Sequence, residues 1–241
     1  MRISKFLSSA GIASRRQSES LIREGKVLLN GIVVTDLGRQ MNPEQDEVIC
    51  CGEKVVSVAK VYLLLHKPAA CISAVSDPWG RKLVTDYISE AEGKVYPVGR
   101  LDFQTTGCLL LSNDGEFVQQ MIHPRYKIPK IYHVQVKGIV SQEILGLWRQ
   151  GVQLTEGLAV ADQVKLLKTD EYYSWVEMTV HQGWKRQIRR MCLAVECPAV
   201  KLCRTQFAFL NVQNLAVGAY RHLAFDEVEQ LKKLAETGYS S

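Results

Sequence analysis

The spacing of apolar positions changes several times along this chain, and each change marks an element. Phe6 and Leu7 form the apolar face of a short helix over residues 4–10, with Ser4 as its cap and Gly11 as its stop. Ser14 followed by Gln17 is a capping box, so a second helix runs to Glu24 and ends at Gly25. Two apolar triplets, residues 27–29 and 32–34, flank Asn30-Gly31, which is a hairpin signal. A further strand pair is expected within residues 48–58.

After a short linker near Ala59-Lys60 the pattern lengthens. Residues 61–65 are a buried strand, broken at Lys67-Pro68, and 72–75 a short strand candidate before a turn over 76–80. A short helix is expected over 83–88. Residues 108–111 are uninterrupted apolar positions, a strand that Asn113-Asp114-Gly115 closes as a tight turn. Helices follow over 117–122, 142–150, 186–194 and 226–236, and strands over 132–136, 175–180 and 207–212. Strands and helices mix without regular alternation, so the fold class is α/β of the α+β kind. A small helical and β domain over residues 1–59 precedes a larger one over 60–241, with a mixed, largely antiparallel sheet flanked by helices.

Composition narrows the function. Apolar residues make up 46% and charged residues 23% of the 241, ordinary for a globular protein. The net charge of +5 gains meaning from its distribution. Arg2, Lys5, Arg15, Arg16, Arg23 and Lys26 face only Glu19 and Glu24 within residues 2–26. Lys185, Arg186, Arg189, Arg190, Lys201 and Arg204 face only Glu196 within residues 184–204. Two basic patches suit a polyanion that spans both. The seven cysteines are odd in number and lack metal-ligand spacing, so they are expected as reduced thiols in a cytoplasmic protein without a metal site. The first residues lack a signal-peptide core, and no apolar run approaches the roughly 18–20 residues of a membrane span.

Three constellations carry candidate chemistry. Arg100-Leu101-Asp102 places a cation and a carboxylate in a loop that runs into the apolar strand. Such a pair on its own is usually a surface ion pair worth about 0–1 kcal/mol. Lys130-Ile131-Tyr132 opens the alternating strand, where a tyrosine is commonplace. Lys185, Arg186, Arg189 and Arg190 crowd four cations into six residues at a helix start, an arrangement that repels itself unless an anion offsets it.

Taken whole, these strings resemble known families. Residues 99–115, Gly-Arg-Leu-Asp through Thr and Gly to a leucine run and Asn-Asp-Gly, resemble the signature of the RNA pseudouridine synthases, with Cys108 where leucine is commoner. Tyr132 and the Gln187-Ile188-Arg189-Arg190-Met191 string match the second and third motifs of that family. Ala10 to Arg16, Leu21-Ile22 and Gly25 to Gly31 resemble an S-four-type RNA-binding domain. The order of these segments is similar to the RsuA/RluB-type rRNA branch. The resemblance implies that Asp102 begins the chemistry, that Tyr132 packs on the target base, and that Arg189 forms an ion pair with Asp102. It further implies that Arg100 fills the gap left by a flipped nucleotide. Arg2, Lys5, Arg15, Arg16, Arg23, Lys26, Lys185, Arg186, Arg190 and Arg204 would contact RNA.

The expected function is isomerisation of a specific uridine to pseudouridine, with the nucleotide flipped out of its stack. No cofactor is expected, because the reaction is redox-neutral and moves no group from elsewhere. Ser76-Asp77-Pro78, Gly80-Arg81 and Val84-Thr85-Asp86 look closest to enzymes acting on 23S rRNA, so a folded stem-loop of that RNA is the expected partner of a monomeric enzyme. The alternatives are 16S rRNA or tRNA as substrate, or a non-catalytic RNA-binding or ribosome-assembly factor. A metal-dependent nuclease would need clustered carboxylates, and Asp102 has only the turn residue Asp114 nearby in sequence.

Overall fold

The computed structural model describes residues 1–237 and divides into two compact units. The first unit comprises Met1–Lys60 together with Glu90–Lys94 and Asn113–Gly115. It holds α1 (Ile3–Ser9), α2 (Arg15–Arg23), β1 (Val27–Leu29), β2 (Ile32–Val33), β3 (Val48–Cys50) and β4 (Glu53–Lys54), with the sheet order β2-β1-β3-β4. The capping box forms, with Ser14 accepting from the Gln17 amide and Gln17 accepting from the Ser14 amide. Asn30 and Gly31 both adopt positive φ, the conformation a two-residue hairpin requires. Ser4 is not a cap. The helix starts one residue earlier, at Ile3, and Ser4 is buried inside it because Ile3, Phe6 and Leu7 together face the core with Ile22 and Val27.

The second unit contains β5 (Tyr62–Lys67), β6 (Tyr96–Pro97), β7 (Thr106–Ser112), α3 (Gly115–Ile122), β8 (Lys130–Lys137) and α4 (Gln142–Gln150). They are followed by β9 (Val152–Leu154), β10 (Gly157–Ala159), β11 (Gln163–Thr169), β12 (Tyr173–Val180) and α5 (Gln187–Ala194). The described residues end with β13 (Ala199–Phe207), β14 (Leu210–Asn211), β15 (Tyr220–His222) and α6 (Phe225–Thr237). The main sheet runs β11-β12-β8-β13-β7-β5-β15, with β14 on β13 and β6 on β7. Its pairs are antiparallel except one: β13 meets β7 in parallel over Cys203–Thr106 and Arg204–Gly107.

That parallel contact is a seam between two half-sheets. Gly107 has φ +106°, and a Cβ there would sit well inside contact distance of the Arg204 carbonyl oxygen, so only glycine lets β7 and β13 approach. The leucine run of β7 is apolar throughout because both of its faces are covered. Cys108 and Leu110 pack with Phe117, Met121 and Leu231, whereas Leu109 and Leu111 pack with Leu63, Leu65 and Val84. On the other side of the seam, Trp148 of α4 and Met191 of α5 cover Val134, Val176 and Met178.

Several expected elements differ. Helix α3 starts at Gly115, two residues before the expected Phe117, directly after the Asn113-Asp114 turn that closes β7 as expected. Asp114 is buried and bonded to Lys60 Nζ at 2.8 Å within the first unit. Residues 72–75 form no strand, only a bridge between Ile72 and Leu83, and the expected helix over 83–88 is a single tight turn, Val84–Tyr87. The strand expected over 207–212 lies earlier, as β13, and the chain reverses at Ala208 with φ +53° before β14.

Candidate active site

Asp102 owes its position to a buried cation. Lys67 ends β5 with no exposed surface, and its ammonium donates to the carbonyls of Pro68, Asp102, Phe103 and Thr105 at 3.0, 3.2, 3.4 and 2.9 Å. The loop that carries Asp102 is thus wrapped around the ammonium. Burial pushes the Lys67 pKa down, and nearby Cys71 and Asp102 only partly offset that push. Ser73 Oγ clamps the residue before, accepting from the Leu101 amide at 3.1 Å and donating to its carbonyl at 3.0 Å. The Asp102 backbone is therefore fixed from both sides while its carboxylate, 30% exposed, faces a cleft of about 250 Å³.

The cleft lies over the seam. Asp102 and Thr105 come from the loop ahead of β7, Lys130 and Tyr132 from β8, and Arg204 from β13. Tyr132 stands opposite Arg204 in the β8–β13 register, half-buried against the cores on either side. Lys130 Nζ donates to the carbonyls of Ile128 and His181 at 2.8 and 2.9 Å. Burial, then repulsion from Arg204, lowers its pKa to about 8.

The structure redistributes the expected arginines. The expected ion pair between Arg189 and Asp102 does not form. Arg186 Nη1 reaches Asp102 Oδ2 at 3.9 Å, and Arg189 Nη1 donates instead to the Ala199 carbonyl at 2.9 Å. Arg186 holds a left-handed conformation, φ +53°, one residue before α5, which turns its side chain away from the helical path that Arg189 follows. The Arg189 pKa is lowered by burial and by repulsion from Arg186, and attraction from Asp102 partly opposes the shift. Arg204 is not a surface cation. It is 3% exposed, and its Nε donates to the Cys108 carbonyl at 2.7 Å, so it belongs to the cleft wall.

The other expected RNA contacts have mixed surroundings. Arg100 and Lys185 are exposed, and Arg190 is held by Glu156 through two bonds of 2.7 and 2.8 Å. In the first unit Arg2, Arg15, Arg16 and Arg23 are exposed and Lys5 is half-buried. Lys26 pairs with Glu24 at 2.6 Å. Among the described residues no group of three His, Cys, Asp or Glu is placed to hold a metal ion, and no helix is long and apolar enough to cross a membrane. Sequence reasoning missed Lys67, taking Lys67-Pro68 only as a strand breaker, and passed over Lys130 as the lead into Tyr132.

A carboxylate, a nearby arginine, an aromatic ring and the cations Lys130 and Arg204 thus share one cleft. Residues 61–194 match the family model of RNA pseudouridylate synthases, and residues 1–48 match that of the S4 domain. The chain belongs to the RNA pseudouridine synthase family and is an enzyme of that class, with an S4 domain at its N-terminus. It is 44% identical over 239 residues to the ribosomal large subunit pseudouridine synthase B of Bacillus subtilis, covering 98% of each chain. It is 39% identical over 240 residues to an uncharacterised RNA pseudouridine synthase of Aquifex aeolicus, covering 99% of this chain and 96% of that one. A crystal structure of a pseudouridylate synthase superposes with a TM-score of 0.66 at 27% identity, covering 96% of this chain and 99% of the other.

Proposed function

We propose that this enzyme converts a uridine of large-subunit rRNA to pseudouridine. The observation that carries the choice of RNA is the similarity to the Bacillus large-subunit enzyme, which spans both chains almost end to end. In the reaction the bond from the ribose to the base nitrogen breaks, a bond from the ribose to a base carbon forms, and the proton lost from that carbon is balanced by one gained at the nitrogen. Asp102 begins the rearrangement, either by attack on the sugar or by removal of a sugar proton. Arg186 supplies the cation next to its carboxylate, and Arg189 adds positive charge from behind. Tyr132 packs on the base, and the exposed Arg100 fills the stack that the flipped nucleotide leaves. Lys130 and Arg204 give the cleft a positive wall for a bound nucleotide.

In this reading residues 1–59 are an RNA-binding domain and 60–241 the catalytic one. The cations of α2 and its surroundings hold a folded stem-loop of 23S rRNA. The enzyme works as a monomer, in the cytoplasm and in ribosome biogenesis, without a cofactor. Primer-extension mapping of pseudouridine in 23S and 16S transcripts treated with the purified enzyme tests the choice. Sites in 23S are expected, and modification of 16S alone would overturn it. Asp102→Asn is expected to fold, bind RNA and form no pseudouridine. Retained turnover would remove Asp102 from its role.

A further inference from the structure

Trp79 is the most exposed tryptophan described, at 76%. Its loop is not slack. Asp77 accepts from the Trp79 and Arg81 amides at 3.1 and 3.0 Å and grips the Arg81 guanidinium at 3.1 and 2.6 Å. Those bonds hold the Asp77 pKa down, at about 2, so the grip persists at neutral pH. The gripped guanidinium lies over the indole, with Cζ 4.7 Å from the ring centroid. One face of the ring is therefore supported by a fixed cation, and the exposure belongs to the rest of the ring. Lys82 follows, itself over the Tyr87 ring at 4.3 Å.

The loop rises from the Asp102 site. Ile72 pairs with Leu83 across its base, and the next residue, Ser73, is the clamp on Leu101. Only three residues lie between Trp79 and Leu83, so the Trp79 Cα stays within about 14 Å of that base at full extension. An oriented, cation-backed aromatic face on a loop whose base abuts the residue before Asp102 has the chemistry of a nucleobase platform. We propose that Trp79 stacks on an unpaired base of the RNA substrate close to the target uridine. The inference rests on the RNA chemistry of the family and not on which rRNA is the target.

The test uses the full chain and two probes, a single-stranded oligoadenylate and heparin, a polyanion without bases. Oligoadenylate is expected to quench tryptophan fluorescence in the wild type and much less in Trp79→Phe. Trp79→Leu, which stays apolar but loses the ring, is expected to bind oligoadenylate about 5- to 150-fold more weakly, the range for loss of one base–aromatic stack. Trp79→Phe regains most of that affinity, and all three proteins bind heparin alike. On whichever rRNA transcript the wild type modifies, the loss in Trp79→Leu falls on KM. Equal quenching in wild type and Trp79→Phe, wild-type affinity in Trp79→Leu, or a parallel loss for heparin would each overturn the proposal. If neither rRNA transcript is modified, the ribosomal assignment fails, and the oligoadenylate titration still decides the role of Trp79.

Discussion

Replacing Lys67 with Met tests whether a buried ammonium holds the Asp102 loop. Met keeps the length and much of the volume of the stem, so the core stays filled. What is lost is the donor to four carbonyls. They are not equally dependent on it. The Asp102 carbonyl also accepts from the Thr105 amide at 2.9 Å, the Phe103 carbonyl from the Ala70 amide at 2.9 Å, and the Pro68 carbonyl from Cys71 Sγ at 3.4 Å. The Thr105 carbonyl is left facing a thioether, and one buried unsatisfied group costs about 1–3 kcal/mol. Relief from burying a charge works in the opposite direction, so the net destabilisation stays at or below that range. For a chain of this size it corresponds to a fall in Tm of about 2–12 °C. The catalytic effect is larger, because a shift of about 1 Å in a reacting group costs on the order of 100-fold. Lys67→Met is therefore expected to remain folded at 25 °C, to bind RNA nearly as the wild type does, and to lose on the order of 100-fold in kcat. Single-turnover pseudouridine formation at saturating enzyme, alongside thermal unfolding, separates the two effects. A folded Lys67→Met with kcat within threefold of wild type would refute the idea that the ammonium positions Asp102.

Two further outcomes follow from the seam and the cleft. Gly107→Ala forces a Cβ against the Arg204 carbonyl and a side chain onto a φ of +106°, so a loss of about 2–6 kcal/mol from overpacking and backbone strain is expected in urea unfolding; wild-type stability would show that the two strands can separate freely. The Lys130 pKa lies at about 8 in the fold against 10.5 as its ordinary value, so between those pH values the unfolded chain keeps a proton that the folded chain has released. Wild-type stability measured against Lys130→Met should accordingly rise with pH from 8 to 10.5 and run parallel below 8; a falling difference across that window would place the ammonium in a stabilising ion pair instead.

The parts of the fold legible in the sequence are those with local causes. The Ser14–Gln17 box, the Asn30-Gly31 turn and helices α4 and α6 each depend on residues a few positions apart. Strand β13 was not legible, although it is central. Its alternation is broken by two register shifts, after Ala199 and after Arg204, and it carries the buried Arg204 because one stretch of it forms the cleft wall. The same contrast holds at the site. The motifs brought Asp102 and Tyr132 to one cleft, but Arg186 and Arg189 are near neighbours in one string, and only the left-handed turn at Arg186 decides which approaches the carboxylate. Lys67 was hidden because three of its four partners are backbone carbonyls of a loop 35 to 38 residues away, which leave no mark on side-chain identity.

The seam also has a consequence for how the enzyme comes into being. The bond from Arg204 Nε to the Cys108 carbonyl closes a separation of 96 residues, and the strand contact it supports is short. Contacts that distant carry a large loop-closure entropy and few local interactions to guide them, so they are expected late in folding. During synthesis β7 emerges long before β13 and can pair only with β5 and β6. A nascent chain that already displays a folded S4 domain and the Asp102 loop therefore still lacks one wall of its cleft. On the proposed role of the cleft, competence to modify RNA is expected only once β13, which ends at Phe207, has been made.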